Sequence, residues 1–104
     1  MNERDERIVQ VIRSLRAGDA ASYGDIAADA GYPKLSRLVG RLLAINDDPD
    51  LPWWRVVNSA GRLVPGHERE QAERLRAEGV VVGNNRVTQA RTGRFAPRTA
   101  RSGA

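Results

Sequence analysis

Residues 22–34, Ser-Tyr-Gly-Asp-Ile-Ala-Ala-Asp-Ala-Gly-Tyr-Pro-Lys, predict a short helix, a tight turn and the start of a second helix. Ser22 is a favourable N-cap residue, and Asp25 stands three positions later, where the acid of a capping box belongs. Gly31 suits the left-handed conformation that ends many helices, and Pro33 suits the first turn of the next one. The first helix is therefore expected to begin after Ser22 and to end before Gly31.

The second helix is expected to start at Pro33 and to carry one apolar and one basic face. Its inward residues are predicted to be Leu35, Leu38, Val39, Leu42, Leu43 and Ile45. Lys34, Arg37 and Arg41 are spaced so that they line up along another face. This arrangement is typical of the helix-turn-helix of DNA-binding proteins. A plain helical hairpin with solvated charges fits the pattern about equally well.

The flanking segments complete a small domain. Residues 3–17 have apolar side chains at helical spacing, and residues 68–78 predict a charged helix. Residues 52–57 predict a short strand or turn, and the polar turn after them leads to residues 62–64, which suggests a wing of two strands. A further hairpin is predicted around Gly83-Asn84-Asn85. The expected fold is a small, mainly-α α/β winged helix-turn-helix over residues 1–89.

The segment Pro52-Trp53-Trp54-Arg55 is the most unusual in the chain, because adjacent tryptophans are rare. Pro52 fixes its own φ angle and biases the preceding Leu51 towards an extended conformation. A rigid unit of this kind could be a packing plug in the core. It could equally be the wall of a pocket for a flat ligand.

Composition excludes several classes of function. The 104 residues include no cysteine and a single histidine, His67. A disulfide framework, a cysteine metal site, a thiol nucleophile and a multi-histidine metal site are therefore not expected. The chain has no long apolar run, and its charged N-terminus does not resemble a signal peptide, so a cytoplasmic location with no membrane partner is expected.

The net charge of +4 is concentrated at the C-terminus. Arg91, Arg94, Arg98 and Arg101 account for all of it, and residues 90–104 contain no acid. The Gly, Ala, Thr and Ser content of this segment predicts a basic, disordered tail. Any nucleic-acid surface on the remaining, neutral part must come from local clustering of charge.

Several motifs in order resemble one known family. They are Ser22-Tyr23-Gly24-Asp25-Ile26-Ala27, Ala30-Gly31-Tyr32-Pro33-Lys34, Arg37 with Val39-Gly40, Asn46, Pro52–Val57 with Asn58–Gly61, and Leu75 with Glu78-Gly79. Together they resemble the DNA-binding domain of the O6-alkylguanine-DNA alkyltransferases over most of residues 6–88. The chain is more similar to the non-enzymatic relatives of these enzymes, the alkyltransferase-like proteins.

The resemblance breaks at the two tryptophans. In the transferases this motif reads Pro-Cys-His-Arg-Val, and the cysteine takes the alkyl group; here Trp53 stands at the cysteine position. Indole cannot act as the alkyl acceptor, and the chain has no other cysteine, so no enzyme is expected. The alkyltransferase-like proteins usually read Pro-Trp-His-Arg-Val, and this chain departs from them as well, with Trp54 in place of the histidine.

The resemblance implies a role for individual residues. Tyr23 matches the tyrosine that crowds the phosphate of the target nucleotide, and Arg37 matches the arginine that fills the space left by an extruded base. Asn46 matches the hinge after the recognition helix, Trp53 would lie against the flipped base, and Arg55 is mainly structural in the family. The interpretation assigns Lys34 and Arg41 to DNA binding, and it places Trp54 and Arg55 with Trp53 and Asn46 at the lesion pocket.

The implied function is recognition of O6-alkylguanine in duplex DNA, by binding in the minor groove and flipping the base without alkyl transfer. An aromatic pocket accepts an alkylated purine through stacking worth about 1–3 kcal/mol. Nucleotide excision repair proteins are the implied downstream partners, a monomer is expected, and no cofactor or metal is implied. The alternatives are a winged helix-turn-helix regulator of undamaged sites and an enzyme that uses a residue other than cysteine.

Overall fold

The computed structural model describes residues 1–97, which form four α-helices and two small sheets. The elements in order are α1 (Glu3–Arg13), β1 (Ala21–Ser22), α2 (Tyr23–Asp29), α3 (Ser36–Ile45), β2 (Val56–Val57), α4 (Glu68–Ala77), β3 (Val81–Gly83) and β4 (Arg86–Gln89). Short 3₁₀ turns lie at Trp53–Arg55 and Gly93–Phe95. The winged helix-turn-helix class predicted from the sequence is confirmed.

The capping box at the start of α2 is present as predicted. The backbone N–H of Asp25 donates to Ser22 Oγ at 3.0 Å, and the backbone N–H of Ser22 donates to Asp25 Oδ2 at 3.4 Å. Gly31, with φ +95°, ends the helix in the left-handed region. These bonds satisfy amides that the first turn of a helix leaves without partners, so the sequence alone determines where α2 begins.

The recognition helix α3 starts three residues later than predicted. Residues 32–35 form a turn, closed by a 2.9 Å bond from the Leu35 N–H to the Tyr32 carbonyl, and α3 begins only at Ser36. Lys34 therefore lies in the turn and not on the helix. The prediction of Ile45 as an inward residue is also wrong, because Ile45 is 72% exposed. It follows Arg41 by four residues, which puts it on the solvent face.

A two-residue parallel ladder joins the two halves of the domain. Ala21 pairs with Val56 and Ser22 with Val57. The prediction that residues 52–57 and 62–64 form two strands of a wing is therefore wrong, because the partner of β2 is β1. The intervening turn is closed around Asn58, whose N–H donates to the Arg62 carbonyl at 3.2 Å and whose side-chain oxygen accepts from the N–H groups of Ala60 and Arg62.

The wing is the hairpin of β3 and β4. Asn84 and Asn85 have φ angles of 53° and 57°, as a two-residue type I′ turn requires. The segment at Gly61 and Arg62 docks on its edge through a bridge to Arg86 and a 2.8 Å bond from the Val87 N–H to the Gly61 carbonyl. A Cβ at position 61 would lie 2.4 Å from the Val87 carbonyl oxygen, so only glycine fits this close approach.

Two apolar clusters lie on either side of the β1–β2 ladder. One packs α1, α2 and α3 together around Ile8, Ile12, Ile26, Val39, Leu51 and Val56; the other packs α4 and the hairpin around Val57, Leu63, Leu75, Val82 and Val87.

The helix α1 ends at Arg13, earlier than the predicted residue 17, because the chain turns over residues 14–19. None of the helices within residues 1–97 has the length and apolar character needed to cross a membrane.

The segment after β4 is ordered where the sequence predicts disorder. Arg91 donates to Asp19 at 2.9 Å, and Arg94 donates two bonds to the Asp25 carboxylate, each at 2.9 Å. Phe95 packs against the apolar cluster of α4 and the hairpin. The prediction of a disordered tail is therefore wrong for residues 90–97. Its remainder, with Arg98 and Arg101, lies outside the described residues.

Candidate nucleic-acid interface

The β1–β2 ladder brings the start of α2 beside the 3₁₀ turn of Trp53–Arg55, and a cavity of about 450 Å³ opens there. Its lining residues are Tyr23, Gly40, Leu43, Ala44, Asn46, Trp53, Val64, Pro65, His67 and Glu70. The volume falls in the range of roughly 300–1,000 Å³ that is common for small-molecule sites. Three of the residues predicted to form the site therefore meet at one cavity: Tyr23, Asn46 and Trp53.

Tyr23 forms one wall of the cavity from the first position of α2. Its ring lies over Gly40 of α3, where an added Cβ would come within 3.9 Å of Tyr23 Cε1. Partial burial raises the pKa of the phenol above its ordinary value of 10.0, so the hydroxyl stays protonated at neutral pH. Tyr23 therefore offers both an aromatic face and a neutral hydroxyl at the cavity.

Trp53 also lines the cavity, and its ring is held at an angle to two other rings. Its ring centroid lies 6.3 Å from that of Trp54 and 5.9 Å from that of His67, both in edge-to-face geometry. Such pairs fix ring orientation, which leaves a defined indole surface facing the cavity. His67 is exposed, and its contact with Trp53 is visible only in the tertiary structure.

Asn46 fixes the chain where α3 ends. Its side-chain amide donates to the Asp48 carbonyl at 3.0 Å, and its side-chain oxygen accepts from the Asp48 N–H at 3.2 Å. This local pair of bonds is the asparagine turn that breaks a helix into a loop. Asn46 thus lies between α3 and the Trp53 turn, and its role as a hinge stays a prediction.

The structure does not place Trp54 or Arg55 along the cavity. The Trp54 indole is absent from the cavity lining, donates from Nε1 to Glu78 Oε2 at 3.0 Å, and lies close to two guanidinium groups. Those groups belong to Arg55 and Arg74, at 5.1 Å and 4.6 Å from the ring centroid. The prediction that Trp54 and Arg55 are pocket residues is therefore wrong. Both bind Glu78, because the three residues of a 3₁₀ turn point about 120° apart and only Trp53 faces the cavity.

Glu78 is the centre of this supporting network. Arg55 binds its carboxylate through two bonds of 3.0 Å and 2.6 Å and also donates to the Leu15 carbonyl at 2.9 Å. Partial burial acts to raise the Glu78 pKa, but the hydrogen bonds from Arg55, Trp54 and the Gly18 N–H outweigh it and hold that pKa below its ordinary value. Glu78 is therefore ionised and joins α4, the α1–β1 loop and the tryptophan turn.

Gln71 links the walls of the cavity from inside the core. It is completely buried, and its amide nitrogen donates to the carbonyls of Trp54 and Val56 at 3.1 Å and 3.0 Å. Its oxygen accepts from the Val64 N–H at 2.7 Å. One side chain with all these hydrogen bonds formed thus connects the tryptophan turn to the loop at Val64 and fixes their relative positions.

A basic surface adjoins the cavity on α3 and the turn before it. Lys34, Arg37 and Arg41 are all exposed, and within residues 1–97 none of them forms an ion pair. Cations that are not neutralised by the protein are available to phosphates. Of the predicted DNA-binding residues, Tyr23 therefore lines the cavity, whereas Lys34, Arg37 and Arg41 lie outside its lining.

Sequence reasoning missed the second half of the cavity lining. Val64, Pro65, His67 and Glu70 come from the loop before α4 and from its first turn. Nothing in their local pattern indicates a site, since a Pro-Gly-His stretch predicts only a turn. Within residues 1–97 no group of three or more His, Asp or Glu side chains is placed to hold a metal ion.

Comparison with known proteins agrees with this geometry. Residues 3–80 match the family described as 6-O-methylguanine DNA methyltransferase, DNA binding domain. A DNA base-flipping protein of Vibrio parahaemolyticus is 39% identical over 79 residues, which are 73% of this chain and 79% of that protein. A DNA base-flipping protein of Escherichia coli is 36% identical over 83 residues, and the match covers 77% of this chain but only 64% of that one.

A solved structure is similar as well. The alkyltransferase-like protein of Schizosaccharomyces pombe, in complex with damaged DNA containing O6-carboxymethylguanine, superposes with a TM-score of 0.71 at 30% identity, over 80% of this chain and 82% of that one. The fold and the site thus define a winged helix-turn-helix DNA-binding domain. The chain belongs to the DNA-binding-domain family of the 6-O-methylguanine DNA methyltransferases, as a relative of the alkyltransferase-like type. The chain contains no cysteine, so it has no thiol that could accept an alkyl group.

Proposed function

We propose that this protein binds O6-alkylguanine lesions in duplex DNA from the minor groove, rotates the damaged base into the Tyr23–Trp53 cavity and holds it there without transferring the alkyl group. The observation that carries the proposal is the cavity itself, which is lined by the aromatic side chains of Tyr23 and Trp53 and by part of α3, the helix that also carries the exposed Arg37 and Arg41. The names of the relatives, base-flipping and alkyltransferase-like proteins, support it.

Each group of side chains has one role in binding the DNA and flipping the base. Lys34, Arg37 and Arg41 bind phosphates and orient the duplex, which positions the protein without reading sequence. Tyr23 crowds the backbone of the target nucleotide, and the Arg37 guanidinium fills the gap that the base leaves. Extrusion of a base costs a few kcal/mol, and Arg37 together with stacking on Trp53 offsets that cost.

A guanine with an alkyl group at O6 is more stable in this cavity than in water. The alkyl group adds apolar surface, for which an aromatic wall needs no hydrogen-bonding partner. The undamaged guanine lacks that surface and keeps its full pairing in the duplex, so it is more expensive to extrude. Lesion preference therefore follows from the cost of flipping and from the lining of the cavity together.

A lesion that the protein has bound still has to be repaired. A bound lesion that is not repaired by the protein itself must be passed to another system, and we infer that nucleotide excision repair proteins receive it. The protein acts as a monomer in this scheme and works in the cytoplasm. Co-purification of repair proteins with the lesion complex, but not with the free protein, is the expected result.

The central experiment compares three duplexes that differ at one position: guanine, O6-methylguanine and O6-benzylguanine. At matched salt we expect tighter binding to both lesions than to guanine, and Trp53→Ala should remove most of the difference. Val81→Ala, which truncates an exposed residue of the hairpin, is the control and should keep the preference. Equal affinity of the wild type for all three duplexes would refute the proposal, and tight binding to one undamaged sequence would favour a regulator.

A further inference from the structure

The cavity contains one charged side chain. Of the residues that line it within the described part of the chain, Glu70 is the only Asp, Glu, Lys or Arg. The basic residues Lys34, Arg37 and Arg41 lie outside the lining. The field inside the cavity is therefore set by a carboxylate, whereas the surface around its mouth on α3 is basic.

Glu70 is held in place by the same network that supports Trp54. Its Oε2 accepts from Arg74 Nε at 3.0 Å, one helical turn along α4. The Arg74 guanidinium lies 4.6 Å from the centre of the Trp54 ring and is not among the residues that line the cavity. Arg74 therefore fixes the orientation of the Glu70 carboxylate but does not itself line the cavity, so its positive charge compensates only in part.

The rest of the lining offers an anion no Lys or Arg, and its free side-chain donors are the Tyr23 hydroxyl and the His67 imidazole. Trp53, Leu43, Ala44, Val64 and Pro65 supply apolar surface. The side chain of Asn46 is already engaged in its pair of bonds with Asp48. A negatively charged substituent that enters this space would lose water, face Glu70 and gain no cation from the lining residues.

We propose that Glu70 determines the charge selectivity of the lesion cavity, so that guanines with neutral O6 substituents are accepted and those with anionic substituents are disfavoured. This inference rests on the proposed function, since it concerns the same cavity. It adds the class of lesion that the protein binds: neutral alkyl groups such as methyl, in preference to carboxylated groups such as carboxymethyl.

The test uses two lesions of nearly the same size that differ in charge, O6-carboxymethylguanine and its neutral amide, O6-carbamoylmethylguanine, in one duplex. The measured quantity is the ratio of the two dissociation constants, in which every contact to the rest of the DNA cancels. For the wild type we expect the anionic lesion to bind about three- to tenfold more weakly, as for like charges several ångströms apart in a solvent-accessible cleft at low salt.

Two variants assign the effect to Glu70. Glu70→Gln should bring the ratio close to one, and Glu70→Lys should invert it. Glu73→Gln removes the same formal charge from an exposed position of α4 that does not line the cavity, and it should keep the wild-type ratio. A wild-type ratio near one, or equal changes in Glu70→Gln and Glu73→Gln, would overturn the inference. Failure of the proposed function gives a different result, since then neither lesion would bind more tightly than guanine.

Discussion

The Trp54 indole donates its N–H to Glu78 at 3.0 Å, and this bond connects the residue behind the cavity to the end of α4. The same carboxylate also binds Arg55 through two bonds, and the pair is largely shielded, with side chains only 15% and 14% exposed. Trp54 is therefore a structural residue that fixes the turn presenting Trp53.

Loss of the Glu78 charge should destabilise the fold. Glu78→Gln keeps the shape of the side chain but leaves the shielded Arg55 guanidinium without its anion, which should lower the free energy of unfolding by about 2–4 kcal/mol. Urea denaturation at neutral pH measures the loss. The exposed Glu73→Gln is the matched control and should change stability by less than about 0.5 kcal/mol. Equal effects of the two variants would contradict the role given to Glu78.

The contribution of Glu78 should depend on pH in one direction. Its pKa in the folded state lies below the ordinary value of 4.5, because the bonds from Arg55, Trp54 and Gly18 outweigh the effect of burial. The stabilisation is then complete above that ordinary value and is lost as the pH falls through the folded-state pKa. The difference in unfolding free energy between wild type and Glu78→Gln should stay constant down to about pH 5 and shrink below it. A difference that grows on acidification would show the sign to be wrong.

Arg37 should matter more for flipping than for docking. Arg37→Ala leaves Lys34 and Arg41 to hold phosphates but removes the group that fills the gap in the duplex, at a cost of roughly 1–3 kcal/mol, as for a lost stacking contact. A 2-aminopurine next to the lesion reports unstacking, and its fluorescence rise at saturating protein should be smaller for this variant. Arg69→Ala, which removes an exposed arginine from α4, should leave the rise intact. A full rise with Arg37→Ala would exclude the assignment.

Trp53→Cys should not create an efficient alkyltransferase. Transfer requires a thiolate to attack the alkyl carbon while the O6–carbon bond breaks and the released guanine regains a proton. A cysteine without a base nearby is only slightly ionised near neutral pH, and Trp54 can donate an N–H but cannot accept a proton. Mass spectrometry after incubation with O6-methylguanine DNA should therefore show little methylated protein.

The double variant Trp53→Cys, Trp54→His tests the same account from the other side. A histidine at position 54 could reach the region of Glu78 and act as the base, so this variant should be methylated faster than the single one. The unmodified protein, which has no cysteine, is the blank. Complete and rapid methylation of the single variant would show that Trp54 is no obstacle.

The arginines at the C-terminus should divide into two groups. Arg91 and Arg94 already bind Asp19 and Asp25, so they are poorly available to phosphates. Deletion of residues 98–104 removes Arg98 and Arg101, and if both bind phosphates the slope of log affinity against log salt should fall by at most about 1.8. Lesion preference should be unchanged. Arg94→Ala should alter the slope little, and it should cost less than about 1 kcal/mol of stability, since this ion pair is partly exposed.

The local sequence was sufficient to predict those elements whose hydrogen bonds join residues close together in the chain. The capping box at Ser22 and Asp25, the left-handed end at Gly31 and the hairpin at Asn84-Asn85 were predicted correctly, because each depends on residues within a few positions of one another. The absence of cysteine likewise excludes an alkyl acceptor without any structure. The motifs from Tyr23 to Gly79 were enough to indicate the family.

Only the tertiary structure decided which side chains meet. The β1–β2 ladder joins residues more than thirty positions apart in the printed sequence, and a two-residue strand has no periodicity that would reveal its partner. That pairing brings Tyr23 and Trp53 to the same cavity, and the 3₁₀ turn sends Trp54 and Arg55 to Glu78 instead of the cavity. Glu70 and His67 enter the lining through the packing of α4, which Gln71 fixes from within the core. Sequence thus determined which local elements form, whereas long-range packing determined the shape and charge of the site.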